Sequence, residues 1–416
     1  MPDRPQRHLP LSKRDVVELC ATDDRLPTGD RAAFRDFCRI LASVFHFEFH
    51  ERLERLKRCH APFDPDSDAV RLPELAPPDR EKAAIGLRSG LEELLRAANY
   101  DEVPRSALAD SLHGESLFRV RLAVDFDDFE EIVLFRRGAE ERSETIRTLF
   151  GLRRREVRFV NFARVVLLAR FRPPQYFEDQ GRRDLGFTPG TTVIKLFRNI
   201  PAQDLEMVFP NTAVRMKPID KLLIGVPAAV GGLLLVATKL LGTLILVGAL
   251  FAFWLGLRDE PVRLDQTALV ALAAGLLTFG GFVLRQFNRF KSRKIRFLKA
   301  LTENLYFKTL DNNAGVFHRL VDDAEEEECK EAILAYWFLL TATAPLSATE
   351  LDREVESWLR DRTGIDIDFE VRDAAGKLER LGLAAHIGEA LRVPSLTAAR
   401  TRLDEIWDGY FRFAPD

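Results

Sequence analysis

Cysteine is scarce and scattered. The 416 residues hold four, Cys20, Cys38, Cys59 and Cys329, with no CxxC spacing. That excludes a disulfide framework or paired-thiol metal knuckle and fits a reducing compartment. A dominant charge sign is missing too: the formal net charge is −3, so no bulk attraction to nucleic acid is implied. Met-Pro-Asp-Arg-Pro-Gln-Arg has no apolar h-region, so no cleavable signal peptide is expected, and Asp3, Asp15 and Glu18 argue against a mitochondrial presequence. There is no P-loop, Gly-rich dinucleotide turn, or Ser or Cys nucleophile elbow. Internal repeats are absent, and low complexity is confined to one acidic run.

What is present is apolar length. Two runs, 240–257 and 266–284, contain 18 and 19 residues. As helices they would extend roughly 27 to 29 Å, close to the ~30 Å hydrocarbon thickness of a bilayer. The polar, proline-containing stretch Arg258 to Asp265 suits the tip of a hairpin. Basic residues flank the pair: Lys221 and Lys239 before it, Arg285, Arg289, Lys291, Arg293 and Lys294 after it. The positive-inside rule then places both flanks on the cytoplasmic side. The less regular lead-in, 222–238, with Pro227 and Gly231-Gly232, reads as an interfacial helix. Small residues recur every four positions, at Gly248, Ala252 and Gly256 and at Thr267, Ala271 and Gly275. Such a face closes the hairpin on itself or supports a homo-oligomer.

The first 112 residues read mainly as helix. Phe34, Cys38, Leu41, Phe45, Phe49, Leu53 and Leu56 form an apolar stripe at steps of three and four, on a helix beginning near Thr28 to Asp30 and ended by Pro62 and Pro65. A further helix is expected over 80–99 and a short one over 104–112. His46 and His50 lie one turn apart, the spacing of a helical metal pair, but without an HExxH pattern they are read as solvated. From 115 to 198 the period changes. Segments 117–124, 129–136, 156–162, 165–171 and 191–198 are expected as strands of a small, mostly antiparallel sheet, with a helix over 140–150. Arg136-Arg137-Gly138 follows a strand, where it either turns or binds an anion.

Lys195 to Asn211, reading Lys-Leu-Phe-Arg-Asn-Ile-Pro-Ala-Gln-Asp-Leu-Glu-Met-Val-Phe-Pro-Asn, joins Leu310-Asp311-Asn312-Asn313-Ala314-Gly315 and Asp322 to Tyr336 as the most individual segments. With these the chain resembles the transmembrane protein 143 family, grouped as domain of unknown function 3754, from about Phe118 onward; Ala61 to Asp66 resembles that family's Pro-Phe-Asp-Pro segment. The resemblance implies two membrane spans, and no activity, catalytic residue or cofactor. Without a presequence, a bacterial cytoplasmic membrane is expected, or a mitochondrial membrane in a eukaryote.

The acidic run can be taken as a cation site. On one helix His318 and Asp322 lie a turn apart, as do Asp322 and Glu326, so His318, Asp322, Glu325 and Glu326 are the candidate cation ligands. The alternative is electrostatic: acids preceding a helix over 329–340 favour its positive N-terminus, or pair with the basic cluster 285–299. The rest reads as a winged helix: helices over 328–340, 347–362 (opened by the capping box Ser347 to Glu350) and 369–381, a hairpin of 383–386 and 391–393, and a last helix over 396–413 whose Leu403, Ile406, Trp407 and Tyr410 are expected as core. The third helix region, 366–382, has three basic residues against five acids, which favours protein contact over nucleic acid.

The expected architecture is an α+β membrane protein: a helical N-terminal region (1–112), an α+β sheet domain (113–212), a membrane region (213–299) with a two-helix transmembrane hairpin, and a helical, winged-helix-like domain (300–416). The expected function is a non-enzymatic, membrane-anchored scaffold or adaptor without cofactor, with the lipid bilayer and proteins as partners. The alternatives are a component of an oligomeric transporter or channel, and a membrane-bound metal-dependent enzyme.

Overall fold

The computed structural model describes residues 7–66, 76–104, 121–148, 153–215, 241–257 and 266–411. They fall into two compact units, one of residues 1–113, 126–205 and 308–416, the other of 114–125 and 206–307.

In the first unit, α1 (Lys13–Thr22) opens on Ser12, whose side chain accepts from the Asp15 N–H. The apolar stripe forms α2 (Arg31–His60), where Phe34, Cys38, Leu41, Phe45, Phe49, Leu53 and Leu56 are all buried. A third helix, α3 (Pro77–Ala97), starts on two prolines, whose missing N–H groups would be orphans in a first turn anyway. Five strands, β1 (Asp101–Glu102), β3 (Phe129–Thr148), β4 (Arg153–Phe171), β5 (Thr192–Pro201) and β7 (Thr309–Asn312), pair antiparallel in the order β1-β3-β4-β5-β7. The short helix α4 (Pro174–Asp179) follows β4. The helix expected over 140–150 is instead the outer half of β3, with Glu140 to Thr148 opposite Asn161 to Arg153. Cross-strand pairing, absent from any local window, overrides the helical propensity of the Glu-rich stretch. The hairpin also needs Gly138: its φ is +67°, and a Cβ there would stand 2.9 Å from the Ala163 Cβ.

Below the sheet lies α7 (Ala314–Thr341), 28 residues long and buried over most of its length. After it come β8 (Leu346–Ser347), α8 (Ala348–Thr363), α9 (Val371–Arg380), β9 (Ala385–Ile387), β10 (Ala390–Arg392) and α10 (Leu396–Gly409). The small sheet runs β8-β10-β9, and the reciprocal capping box of Ser347 and Glu350 is formed at α8. Helix, strand, two helices and hairpin thus follow in winged-helix order. One core joins α1, α2, α3, the inner sheet face, α7 and the C-terminal helices.

The second unit contains the antiparallel pair β2 (Arg121–Ala123) and β6 (Ala213–Arg215), and two helices, α5 (Leu241–Trp254) and α6 (Gln266–Lys308). The transmembrane hairpin is not supported. Among the described residues no helix is long and apolar enough to cross a membrane. The described part of the first run is helical over 14 residues, Leu241–Trp254, about 21 Å against the ~30 Å of a bilayer core. It stops because Gly256 turns left-handed, with φ +70°. The Leu257 N–H then donates to the Ala252 carbonyl at 2.8 Å and the Gly256 N–H to Phe253 at 3.1 Å, a glycine C-cap. The second run continues without a break through Arg285, Arg289, Lys291, Arg293 and Lys294 into a 43-residue helix, Gln266–Lys308. The integral membrane location and the transmembrane topology are therefore not supported, while the α+β character with its antiparallel sheet stands. Gly248 and Ala252 lie on α5 and Thr267, Ala271 and Gly275 on α6, but Gly256 belongs to the cap. Lys221, Lys239, the lead-in 222–238, the tip 258–265 and all but the first residue of the helix expected over 104–112 lie outside the described residues.

Candidate functional site

The acidic run does not precede a helix; it occupies the middle of α7. Asp323, Glu327 and Glu331 follow at four-residue spacing, so they share one face. Each meets a different partner. Asp323 Oδ2 accepts from Arg137 Nη2 of β3 at 2.9 Å and from the Tyr100 hydroxyl at 3.4 Å. Glu327, 2% exposed, accepts from the Leu9 N–H at 3.1 Å and from Lys330 Nζ at 2.7 Å, and His8 Nδ1 stands 2.7 Å from it. Glu331, 5% exposed, accepts from Lys377 Nζ of α9 at 2.6 Å. The Asn99 amide, just beyond α3, donates to both, at 3.2 Å to Glu327 and 3.1 Å to Glu331.

Two lysines are buried with these acids. Lys330 Nζ, besides Glu327, donates to the carbonyls of Leu9 and Leu11 at 2.7 and 2.9 Å, pinning the segment before α1. Lys377 Nζ lies 2.8 Å from Glu328 and 2.7 Å from Asp373. Burial opposes the charge of Lys377, but Glu331, Glu328 and Asp373 outweigh it and hold its pKa above the ordinary value. The two carboxyls one turn apart move in opposite directions. Burial pushes Glu331 up to about 7 against the pull of Lys377 and Asn99. Burial would raise Glu327 too, yet His8 and then Lys330 prevail and hold it at about 2.

The candidate cation ligands are not brought together. His318 and Asp322 are both exposed on α7. Burial and then the neighbouring Asp323, Glu326 and Glu325 raise the Asp322 carboxyl. Glu325 is engaged by Lys13 Nζ at 3.3 Å and His46 Nδ1 at 2.8 Å, and Glu326 accepts from the Lys13 N–H at 2.8 Å. No group of three or more His, Cys, Asp or Glu among the described residues could hold a metal ion. Sequence reasoning passed over Lys330, Lys377 and Asn99 as hub residues and took Arg137 only as part of a strand end that turns or binds an anion; a further local signal was the charged pair Lys330-Glu331 at the start of an otherwise apolar helical run.

The individual segments also converge. Asn313, held at φ +46°, exchanges hydrogen bonds with Ile194: its N–H donates to the Ile194 carbonyl at 2.7 Å and its Oδ1 accepts from the Ile194 N–H at 2.9 Å. Its amide donates to Asp66 Oδ2 at 2.5 Å. Gly315 follows because a Cβ there would lie 2.6 Å from Asp311 Oδ1. Residues 61–66, β5 and the start of α7 are thus bolted together.

An open groove of about 590 Å³ runs between α2 and α10, lined by Arg39, Ser43, His46, Phe47, His50 and Trp407. Trp407, expected in the core, is 42% exposed, and its ring meets Phe47 edge-on at 6.4 Å. The α9 helix, the position of a DNA reader, turns Lys377 inward, and its Arg380 forks onto Glu48 of α2 at 2.6 and 2.9 Å.

Fold and site define a mixed α+β protein organised by a buried charge network. Residues 162–315 match a family described as a protein of unknown function (DUF3754). No solved structure matches the chain.

Proposed function

We propose that the chain is a non-enzymatic scaffold or adaptor that meets protein partners through its C-terminal, winged-helix-like part and the adjoining groove. The carrying observation is where the acidic run spends its oxygens. Asp323, Glu325, Glu326, Glu327, Glu328 and Glu331 are each engaged by a cation or donor of the same chain, so they serve assembly rather than chemistry. On α9 Lys377 is turned inward and Arg380 is held by Glu48, which favours protein over nucleic acid as the partner. Kinship with the transmembrane protein 143 family is part of this reading, supported by the matched region 162–315, which holds Lys195 to Asn211 and Leu310 to Gly315. Affinity capture with the full chain tests the adaptor reading: a protein held by the unaltered chain and released by Trp407→Ala supports it. Stoichiometric metal in the purified chain, lost in a His318→Ala, Asp322→Ala variant, would overturn it in favour of an enzyme.

A further inference from the structure

The groove between α2 and α10 carries one sign of charge. Its titratable lining side chains are Arg39, His46 and His50, and no carboxylate lines it. The acids that do reach these bases are each shared. Asp36 lies 2.6 Å from Arg39 and 3.8 Å from Arg400 of α10. Glu325 lies 2.8 Å from His46 and 3.3 Å from Lys13. Glu54, which feels His50, is bonded by Lys57 at 2.9 Å. Asp36 cannot balance two guanidinium groups at once, so positive charge is left over along the rim. Glu51, Asp404 and Asp408 are exposed, and none of them lines the groove.

Between the bases the floor is apolar. Phe47 is half-buried, and its ring meets Tyr410 at 4.3 Å and Phe411, 64% exposed, at 5.4 Å. With Trp407 these rings form an aromatic patch open to one side, the composition of an interface anchor site. Both walls are helices, and that decides the occupant's conformation. Helix backbones are satisfied internally and offer no edge of N–H and C=O groups, so an extended peptide would leave its own backbone unpaired here. A helix brings its hydrogen bonds with it. From Arg39 to His50 the groove follows α2 for about 16 Å, room for roughly three turns of a second helix.

We propose that this groove seats an acidic amphipathic helix of a partner protein, which packs a large apolar side chain against Trp407 and Phe47 and turns carboxylates toward Arg39 and His50. The inference rests on the adaptor reading and adds the chemistry of the partner. The rings supply the affinity, and the surplus charge of the rim selects the sign of the helix and speeds its arrival.

Selection of a phage-displayed random peptide library on the full chain, with the Trp407→Ala chain as counter-selection, tests this. Enriched peptides are expected to be acidic, with large apolar residues at i, i+3, i+4 and i+7. A synthetic peptide of the enriched sequence should bind the full chain one-to-one by fluorescence anisotropy, and about tenfold or more weaker with Trp407→Ala. Its affinity should fall as salt rises, less steeply for Arg39→Glu. Arg39 is 78% exposed, so that variant reads the groove even if Trp407→Ala fails to fold. Enrichment of neutral or basic peptides, of none, or of peptides that both variants bind unchanged overturns the proposal. So does a dimer of the full chain in sedimentation that Trp407→Ala dissociates, which would make the occupant a second copy. Neutral or basic peptides together with a captured protein that Trp407→Ala releases refute the acidic helix and leave the adaptor reading standing; acidic peptides without any captured protein do the reverse.

Discussion

Replacing Lys377 by methionine removes one ammonium and keeps the side chain's bulk. It leaves Glu331 and Glu328 facing a buried site without their shared cation. Removing one partner of a buried ion pair costs about 3 to 5 kcal/mol, a large part of the ~5 to 15 kcal/mol that holds a domain folded. The loss also has a pH signature. Burial already places the Glu331 carboxyl at about 7 in the folded chain, above its ordinary 4.5. Between those values the folded state binds more protons than the unfolded one, so stability falls as pH rises through the window. The gap corresponds to about 3 kcal/mol, fully lost above neutrality. Without Lys377 the carboxyl climbs further, and the deficit of Lys377→Met grows from acid to alkaline pH. Urea unfolding of both chains at about pH 5.5 and about pH 8 measures this. Adding Glu331→Gln to the variant should recover part of the loss and flatten its pH dependence. A deficit below about 1 kcal/mol at the higher pH, or one equal at both, would refute the claim that Lys377 neutralises the hub.

Three further outcomes follow from the same geometry. Leu9, 4% exposed beneath the segment held by Lys330, should cost about 2 to 5 kcal/mol as Leu9→Ala, read from the urea midpoint. Asn313→Ala should cost more than Asn313→Gly in thermal unfolding: both strip the Ile194 N–H of its acceptor, about 1 to 3 kcal/mol, but only glycine relieves the positive φ, which is a matter of about 1 to 3 kcal/mol. Glu327 is held at about 2 against an ordinary 4.5, so its contribution, about 3 kcal/mol by the same conversion, is present above 4.5 and fades as pH falls toward 2; Glu327→Gln should be less stable than the unaltered chain at neutral pH and lose less of its stability on acidification.

The parts legible in the sequence were those whose cause is local. The α2 stripe shows because every third or fourth residue is apolar, and the Ser347 to Glu350 box because a cap is set within four residues. Nonlocal causes were invisible. Glu140 to Thr148 looks helical until its partner strand at 153–161 is known. The charges from Asp322 to Glu331 look solvated because their neutralising groups, Leu9 N–H, Arg137 and Lys377, lie 318, 186 and 46 residues away. The end of an apolar run does not fix the end of its helix either: Gly256 caps α5 just past Trp254, and α6 continues through Arg285. Trp407 sits at core spacing on α10, yet the groove beside Phe47 leaves it partly open.

Acids four residues apart on one helix repel, so the α7 stripe of Asp323, Glu327 and Glu331 destabilises an isolated helix. It becomes favourable only when Arg137, the segment ahead of α1, and Lys377 arrive together, and this ties formation of α7 to docking of the sheet and of α9. Charge alone would not fix the alignment, because sliding α7 by one turn exchanges acid for acid. Asn99 does. Its amide donates to Glu327 and Glu331 at once, and a slip toward Glu327 in the place of Glu331 would present Asp323 in its place, one methylene shorter and turned to Arg137. Lys330 adds a second constraint, since its ammonium must reach Leu9, Leu11 and Glu327 from a position 2% exposed. Apolar residues of equal volume could match the stability of such pairs, but they would not reject the slipped arrangement.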